Sequence, residues 1–334
     1  MNYIGSKYKL LPFIKQAIFD VVGSNLSDKV FCDIFAGTGA VGRSFKTSVR
    51  KIISNDVEYY SYILNRNYIG NHIEIANKED YIEALNNIPL IEDGFIYNNY
   101  CWGGSKERLY FTDYNGMRID SMRQQIERWK LTNIINDDLY YFLLCSLLEG
   151  ADKVANTASV YGAFLKKLKK TAETKIVLTG ANFDINYNQH EIYCEDANSL
   201  IKNIEGDILY LDPPYNARQY GANYHLLNTI AEYKPFTPIG KTGLRSYAKS
   251  KYCCVKSVAT EFEDLIKTAR FKYIFLSYNN EGLMSIEQIR EIMSKYGRYD
   301  LVYRPYQRFK ADKTANRNHT ASSTIEYLHI LEKN

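Results

Sequence analysis

Two short motifs hold most of the side chains that could do chemistry. Asp212-Pro213-Pro214-Tyr215 follows the apolar run D-I-L-Y-L at 207–211. Two prolines remove backbone donors and fix a rigid turn, so backbone carbonyls are left open where a strand ends. Open α/β sheets bind ligands outside that end of their strands. Asp212 adds a carboxylate there and Tyr215 an aromatic face. The second motif is Asp33-Ile-Phe35-Ala-Gly37-Thr-Gly39-Ala-Val-Gly42, where an apolar run turns into a helix. Glycines at such a turn let a ligand approach the backbone and the helix N-terminus. Asp56, 19 residues after Gly37 and just past the next apolar run, stands where a carboxylate grips ribose hydroxyls in nucleotide-binding sheets. A helix N-cap is the alternative role for Asp56.

These motifs need strands behind them. The runs at 30–35, 51–54, 207–211 and 273–277 read as buried strands. Residues 8–22, with Leu10, Ile14, Ala17 and Val21 at helical spacing, and residues 59–69 read as helices. Thr260-x-x-Glu263 and Ser285-x-x-Gln288 read as capping boxes that open two more helices, with Gly297 closing the second. Alternating strands and helices predict a mostly parallel sheet with helices on both faces. The runs at 299–304 and 325–331 have no helix between them, so they should pair as an antiparallel hairpin at the sheet edge. A parallel sheet ending in such a hairpin is the pattern of the class I methyltransferase fold. The stretch 71–189 is different in kind, with helical patterns at 117–131, 138–149 and 158–171 and few strand signals. This predicts a catalytic domain from residues 1–70 and 190–334, and a helical insertion over 71–189.

Composition excludes several classes. Hydrophobic residues at 46% and charged residues at 24% suit a globular chain and exclude a disordered one. No apolar run reaches the length of a membrane span, and Lys7, Lys9, Lys15 and Asp20 interrupt any secretory signal, which predicts a cytoplasmic protein. The six cysteines form no C-x-x-C pair, so free thiols and no metal are expected. Net charge is only +4, but residues 233–260 carry six basic side chains and no acidic one, and residues 301–325 five basic against one acidic. Such clusters point to an anionic polymer as partner.

Taken together, D-P-P-Y after a buried strand, the earlier D-x-F-x-G-x-G and the acid after the second strand resemble the amino-methylating DNA methyltransferases. The likeness is greatest to the Dam-like N6-adenine-specific family and the type II modification methylases. The opening Asn2-Tyr3-Ile4-Gly5-Ser6-Lys7 is similar to that family's N-terminal cofactor motif. Recognisable motifs cover residues 1–69 and 191–331; Phe111–Arg118 and 155–162 are similar to a subset of modification methylases.

The resemblance implies S-adenosylmethionine as cofactor. It places the methionine part near Tyr3, Lys7, Asp33 and Phe35 to Gly39, the ribose on Asp56, and the adenine near Asp196 or its neighbour Glu195, either of which could instead cap the helix that follows. It also implies double-stranded DNA as substrate, with a cognate endonuclease as a further partner. The N6 amine of adenine is a poor nucleophile because its lone pair is delocalised into the ring. A carboxylate on one N–H and a proline carbonyl on the other favour a tetrahedral nitrogen and restore that lone pair. Asp212 and Pro213 are the candidates, within a catalytic set of Asp212, Pro213, Pro214 and Tyr215. The base must leave the duplex to be reached, and Tyr215 would then stack on it. Tyr278, after the next strand, is a candidate second wall or an ordinary core residue. Lys249, Lys251, Arg308 and Lys310 are the expected DNA contacts, mainly to phosphates, with Lys166, Lys167, Lys169 and Lys170 a further basic stretch. Transfer to cytosine N4, RNA or a protein amide, and a non-catalytic DNA-binding protein on the same fold, are the other readings. Asp at the head of the motif favours adenine.

Overall fold

A computed structural model describes residues 7–307 and 323–334. Tyr3, Arg308 and Lys310 lie outside the described residues. Seven strands form one sheet: β1 Val30–Asp33, β2 Lys51–Asn55, β3 Glu191–Tyr193, β4 Glu205–Leu211, β5 Arg270–Asn279, β6 Gly297–Gln307 and β7 Ser323–Lys333. Their order is β3-β2-β1-β4-β5-β7-β6. The first five run parallel, and β7 is antiparallel to both β5 and β6. This is the class I methyltransferase architecture expected from the alternation of elements. The closing hairpin is also present, with β7 lying between β5 and β6.

The sheet is held by apolar burial on a scale only continuous runs can supply. Phe31, Cys32, Ile52, Ile208, Leu209, Ile274, Phe275 and Leu276 are fully buried. One face packs on helices Val258–Thr268 and Ile286–Ser294 through Phe262, Leu265, Ile289 and Met293. Leu11–Val22 forms a helix with Pro12 in its first turn, where a missing N–H costs nothing.

Three local expectations are corrected. The helix expected to start at Thr260 starts at Val258, because burial of Val258 with Phe262 extends the apolar stripe upstream. Glu263 bonds Lys295 and Tyr296 instead of closing a capping box. Gly297 opens β6 rather than ending a helix; any side chain there would meet the Glu332 carbonyl at 2.1 Å. The Ser285 cap does form, its side chain accepting from the Gln288 N–H. The stretch 158–171 is not a helix. Asn156 holds it as a loop, donating to the Leu109 and Leu165 carbonyls and accepting from the Lys169 N–H. A short helix forms only at Lys170–Glu173.

The chain divides into two compact units. Among the described residues, one holds 7–65, 186–219, 249–307 and 323–334 and contains the whole sheet; the other holds 66–185 and 220–248 and is helical. Its longest helices, Asp113–Leu131 and Asp137–Val154, are capped by Thr112 and Asn136. Tyr220–Ala248 belongs to this unit for reasons the sequence does not display. Arg123 donates to the Ile230 and Ala231 carbonyls, and Arg108 to those of Gly240 and Lys241. Tyr233 donates to Asp120. Arg123 thus serves carbonyls in the last turn of the helix His225–Glu232, where none has a partner within the helix, and Arg108 holds the turn at Gly240. No helix of the described residues is long and apolar enough to cross a membrane.

Candidate active site

Neighbouring strands β1 and β4 bring the two motifs together. Asp33 lies opposite Tyr210 in their register, and the Ile34 N–H donates to the Tyr210 carbonyl. The glycine turn after β1 and the proline turn after β4 therefore leave the same sheet edge side by side.

Gly37 and Gly39 have φ of 52° and 76°, the left-handed region that favours glycine. The turn is braced from three directions. Asp56 accepts the Gly37 N–H at 2.8 Å and the Glu58 N–H at 2.9 Å. Asn65 donates to the Gly37 carbonyl and accepts from the Ser54 hydroxyl. Asn55 donates to the Ile34 and Glu195 carbonyls and accepts the Glu195 N–H, tying the first turn to the one after β3. Asn55 and Asn65 were not expected from the sequence. They are buried polar residues in elements whose apolar pattern carried the signal, and no local motif marks them.

Asp33 and Asp56 are strained in charge rather than in backbone. Burial lifts the Asp33 carboxyl to about 8, with the Gly42 N–H opposing that rise. One Asp33 oxygen accepts from Gly42 at 3.0 Å, and the other is buried without a hydrogen-bond partner. Burial also lifts Asp56, to about 6, against the N–H bonds from Glu58 and Gly37. Phe35, partly buried, meets the edge of Tyr252 with ring centres 5.0 Å apart, and Tyr252 donates to Asn198. Asp196 is exposed and caps Ala197–Leu200 through the Ser199 N–H. Glu195 beside it is exposed too. An orphaned buried carboxylate oxygen, two left-handed glycines, an aromatic side and a second carboxylate form a donor set that suits a cationic nucleoside derivative.

At the proline turn, Asp212 is mostly buried and its carboxylate lies 3.3 Å from the Lys7 ammonium. Lys7, only 5% exposed, also lies 3.5 Å from Glu326 and sits over the Tyr215 ring at 5.7 Å. The resemblance put Lys7 at the methionine end of the cofactor; its described partners are these two carboxylates. Burial raises the Asp212 carboxyl to about 6, Lys7 drawing it down and Glu326 pushing it further up. Burial works against the Lys7 charge, but Asp212 and Glu326 outweigh it and hold the ammonium above its ordinary range.

Tyr215 is half-buried and meets Tyr278 edge-on, ring centres 6.3 Å apart. Tyr278 itself is core, 1% exposed, its hydroxyl accepting the Met284 N–H. It supports Tyr215 from beneath rather than forming an open second wall. The Leu283 N–H donates to the Tyr215 carbonyl and pins the turn. Gly282 is required beside it, since a Cβ there would lie 2.0 Å from the Tyr278 ring.

The basic segment 233–260 is less charged in space than in sequence. Arg245 pairs with Glu232 and Lys251 with Glu261, both at 2.8 Å, and both carboxylates lie just outside the segment. Lys249 is exposed.

Comparison with known proteins agrees with this geometry. The type II methyltransferase M.NlaIII of Neisseria lactamica is 63% identical over 333 residues, covering 100% of this chain and 99% of its own. M.CviAII of Paramecium bursaria Chlorella virus 1 is 39% identical, covering 99% and 98%. M.FokI of Planomicrobium okeanokoites is 39% identical over all of this chain, which spans 53% of that longer relative. The family model for D12 class N6 adenine-specific DNA methyltransferases matches residues 3–292. With the mixed sheet and its paired turns already in view, the chain belongs to that family, and it is an adenine-specific DNA methyltransferase.

Proposed function

We propose that this enzyme methylates N6 of an adenine swung out of double-stranded DNA, with Asp212, Pro213, Pro214 and Tyr215 presenting the amine. Asp212 accepts one amine N–H and the Pro213 carbonyl the other, which directs the nitrogen lone pair. Tyr215 stacks on the extruded base, held at a fixed tilt by Tyr278 and Leu283. S-adenosylmethionine, when bound, supplies a methyl on a sulfonium: the C–S pair stays with sulfur, an N–C bond forms, and one N6 proton is released. Asp33, Phe35, Gly37, Gly39 and Asp56 hold that cofactor, with Asp196 or Glu195 at its adenine end. Fixing both partners in line converts encounter into an effectively intramolecular step.

The observation that carries this reading is the adjacency of the Asp33–Gly39 turn and the Asp212–Tyr215 turn on strands β1 and β4. A cofactor turn and an amine-presenting turn at neighbouring strand ends are what in-line transfer needs.

The relatives carry the names of type II and modification methylases. By that likeness this chain is the modification enzyme of a restriction–modification system, acting in the cytoplasm beside a cognate endonuclease. The helical unit reads the target sequence, and Lys249 and the basic residues outside the described region hold phosphates. Methylation-aware sequencing of DNA from a methylation-free host expressing the chain tests this. N6-methyladenine in one short sequence context is the expected result. Methyl on cytosine N4, or none on DNA, would contradict it.

A further inference from the structure

The ammonium of Lys7 is shared. It lies 3.3 Å from Asp212 and 3.5 Å from Glu326, and Glu326 Oε2 is buried without a hydrogen-bond partner. That oxygen is the one 3.5 Å from the Lys7 ammonium, an ion pair too loose to be a hydrogen bond, whereas buried polar atoms are nearly always hydrogen-bonded. The topology supplies the placement. Because β7 runs against the parallel strands, its early residues arrive at the edge where β1 and β4 end. Glu326 stands opposite Asn279, the last residue of β5.

We propose that Glu326 is a positioning residue for methyl transfer: it takes over the Lys7 ammonium when Asp212 turns to the target amine. This rests on the assignment of Asp212 to that amine. A lone buried Lys7–Asp212 pair would be a closed unit, since drawing one member away leaves a buried charge unpaired. A second carboxylate lets Asp212 engage the amine while Lys7 keeps a partner.

Among the described residues, the other ionisable groups around the trio are Tyr210 on β4, Tyr215 on the turn, Asp33 on β1, Glu281 after β5, and the exposed Arg304 opposite Glu326 on β6. The Glu326 charge adds to burial in raising the Asp212 carboxyl. Removing its charge should lower the pH at which Asp212 becomes active, even as the maximal rate falls.

The test is single-turnover methyl transfer to cognate duplex at saturating cofactor, across pH. Glu326→Gln should lower the plateau rate by roughly tenfold, within the range of coupling between residues of one charge network. Its acid limb should move to lower pH, with cofactor and DNA affinities little changed. A plateau within about twofold of wild type would overturn the proposal. In a Lys7→Met background, Glu326→Gln should cost little more, because it acts through the lysine. An equal loss in both backgrounds would mean an independent structural role and would also overturn it. Thermal melting and cofactor calorimetry report whether each variant folds. If Glu326→Gln does not, Glu326→Asp replaces it: a several-fold slower plateau is expected, and an unchanged plateau contradicts the proposal. Asp212→Ala runs alongside. An active Asp212→Ala would remove the underlying assignment, whereas an inactive one beside a normal Glu326→Gln removes only the role of Glu326.

Discussion

The Asp56 carboxylate accepts the backbone N–H of Gly37 at 2.8 Å, which couples the end of β2 to the glycine turn after β1. A carboxylate in that place does two things. It fixes a left-handed glycine, and in the proposed function its remaining lone pairs take the ribose hydroxyls. Asp56→Ala should weaken S-adenosylmethionine binding by about 1–3 kcal/mol, the scale of leaving polar partners unsatisfied. Maximal turnover at saturating cofactor should suffer less. Titration calorimetry measures the first and a methyl-transfer assay the second; unchanged affinity would reduce Asp56 to a structural brace.

Gly39→Ala should be damaging on two counts. The residue has φ of 76°, and a Cβ there would lie 2.4 Å from Asn65 Oδ1. The left-handed conformation alone costs an ordinary residue roughly 1–2 kcal/mol, and the displaced Asn65 would release the Gly37 carbonyl and the Ser54 hydroxyl. The variant should melt several degrees lower and bind cofactor poorly. A melting temperature equal to wild type would show that the turn is looser than this bond pattern implies.

Burial raises Asp212 to about 6, and its ionised form is the stronger acceptor of an amine N–H. The transfer rate should therefore hold steady above that pH and fall as pH drops through about 6, roughly tenfold per unit below it. Asp56 is raised to a similar value, so saturating cofactor is needed to isolate Asp212. Single-turnover rates across this range decide the matter, and a rate that rises on acidification would contradict the ionised-acceptor role.

Charge pairing separates two lysines that look alike in the sequence. Both are exposed, but Lys251 is ion-paired with Glu261. Lys249→Gln should reduce the log–log salt slope of duplex binding by about 0.9 if it holds one phosphate, and Lys251→Gln should leave the slope nearly unchanged. Phosphate contacts should weaken cognate and scrambled duplexes alike. Equal slope changes from both lysines would mean that DNA breaks the Lys251–Glu261 pair.

The strands that position the site were legible because continuous apolar runs such as those of β4 and β5 admit little else. The D-P-P-Y turn was legible because its residues are adjacent. What escaped was set at long range. Glu326 meets Lys7 from the far end of the chain, Asn65 reaches Gly37 across 28 residues, and Arg123 reaches Ile230 across 107. The loop around Asn156 reads as helix because its side chain, not its sequence spacing, decides the backbone. Asp196 shows the complementary limit: cap and ligand make the same demand for an acid at a helix start, and the cap is formed.

The central claim is that Asp212 presents the target amine and does not hold the cofactor. Its most direct test is single-turnover transfer of labelled methyl from S-adenosylmethionine to cognate duplex by Asp212→Ala, with cofactor affinity measured on the same preparation. Cofactor binding close to wild type with methyl transfer abolished is the predicted result. Near-normal transfer by that variant would contradict the account.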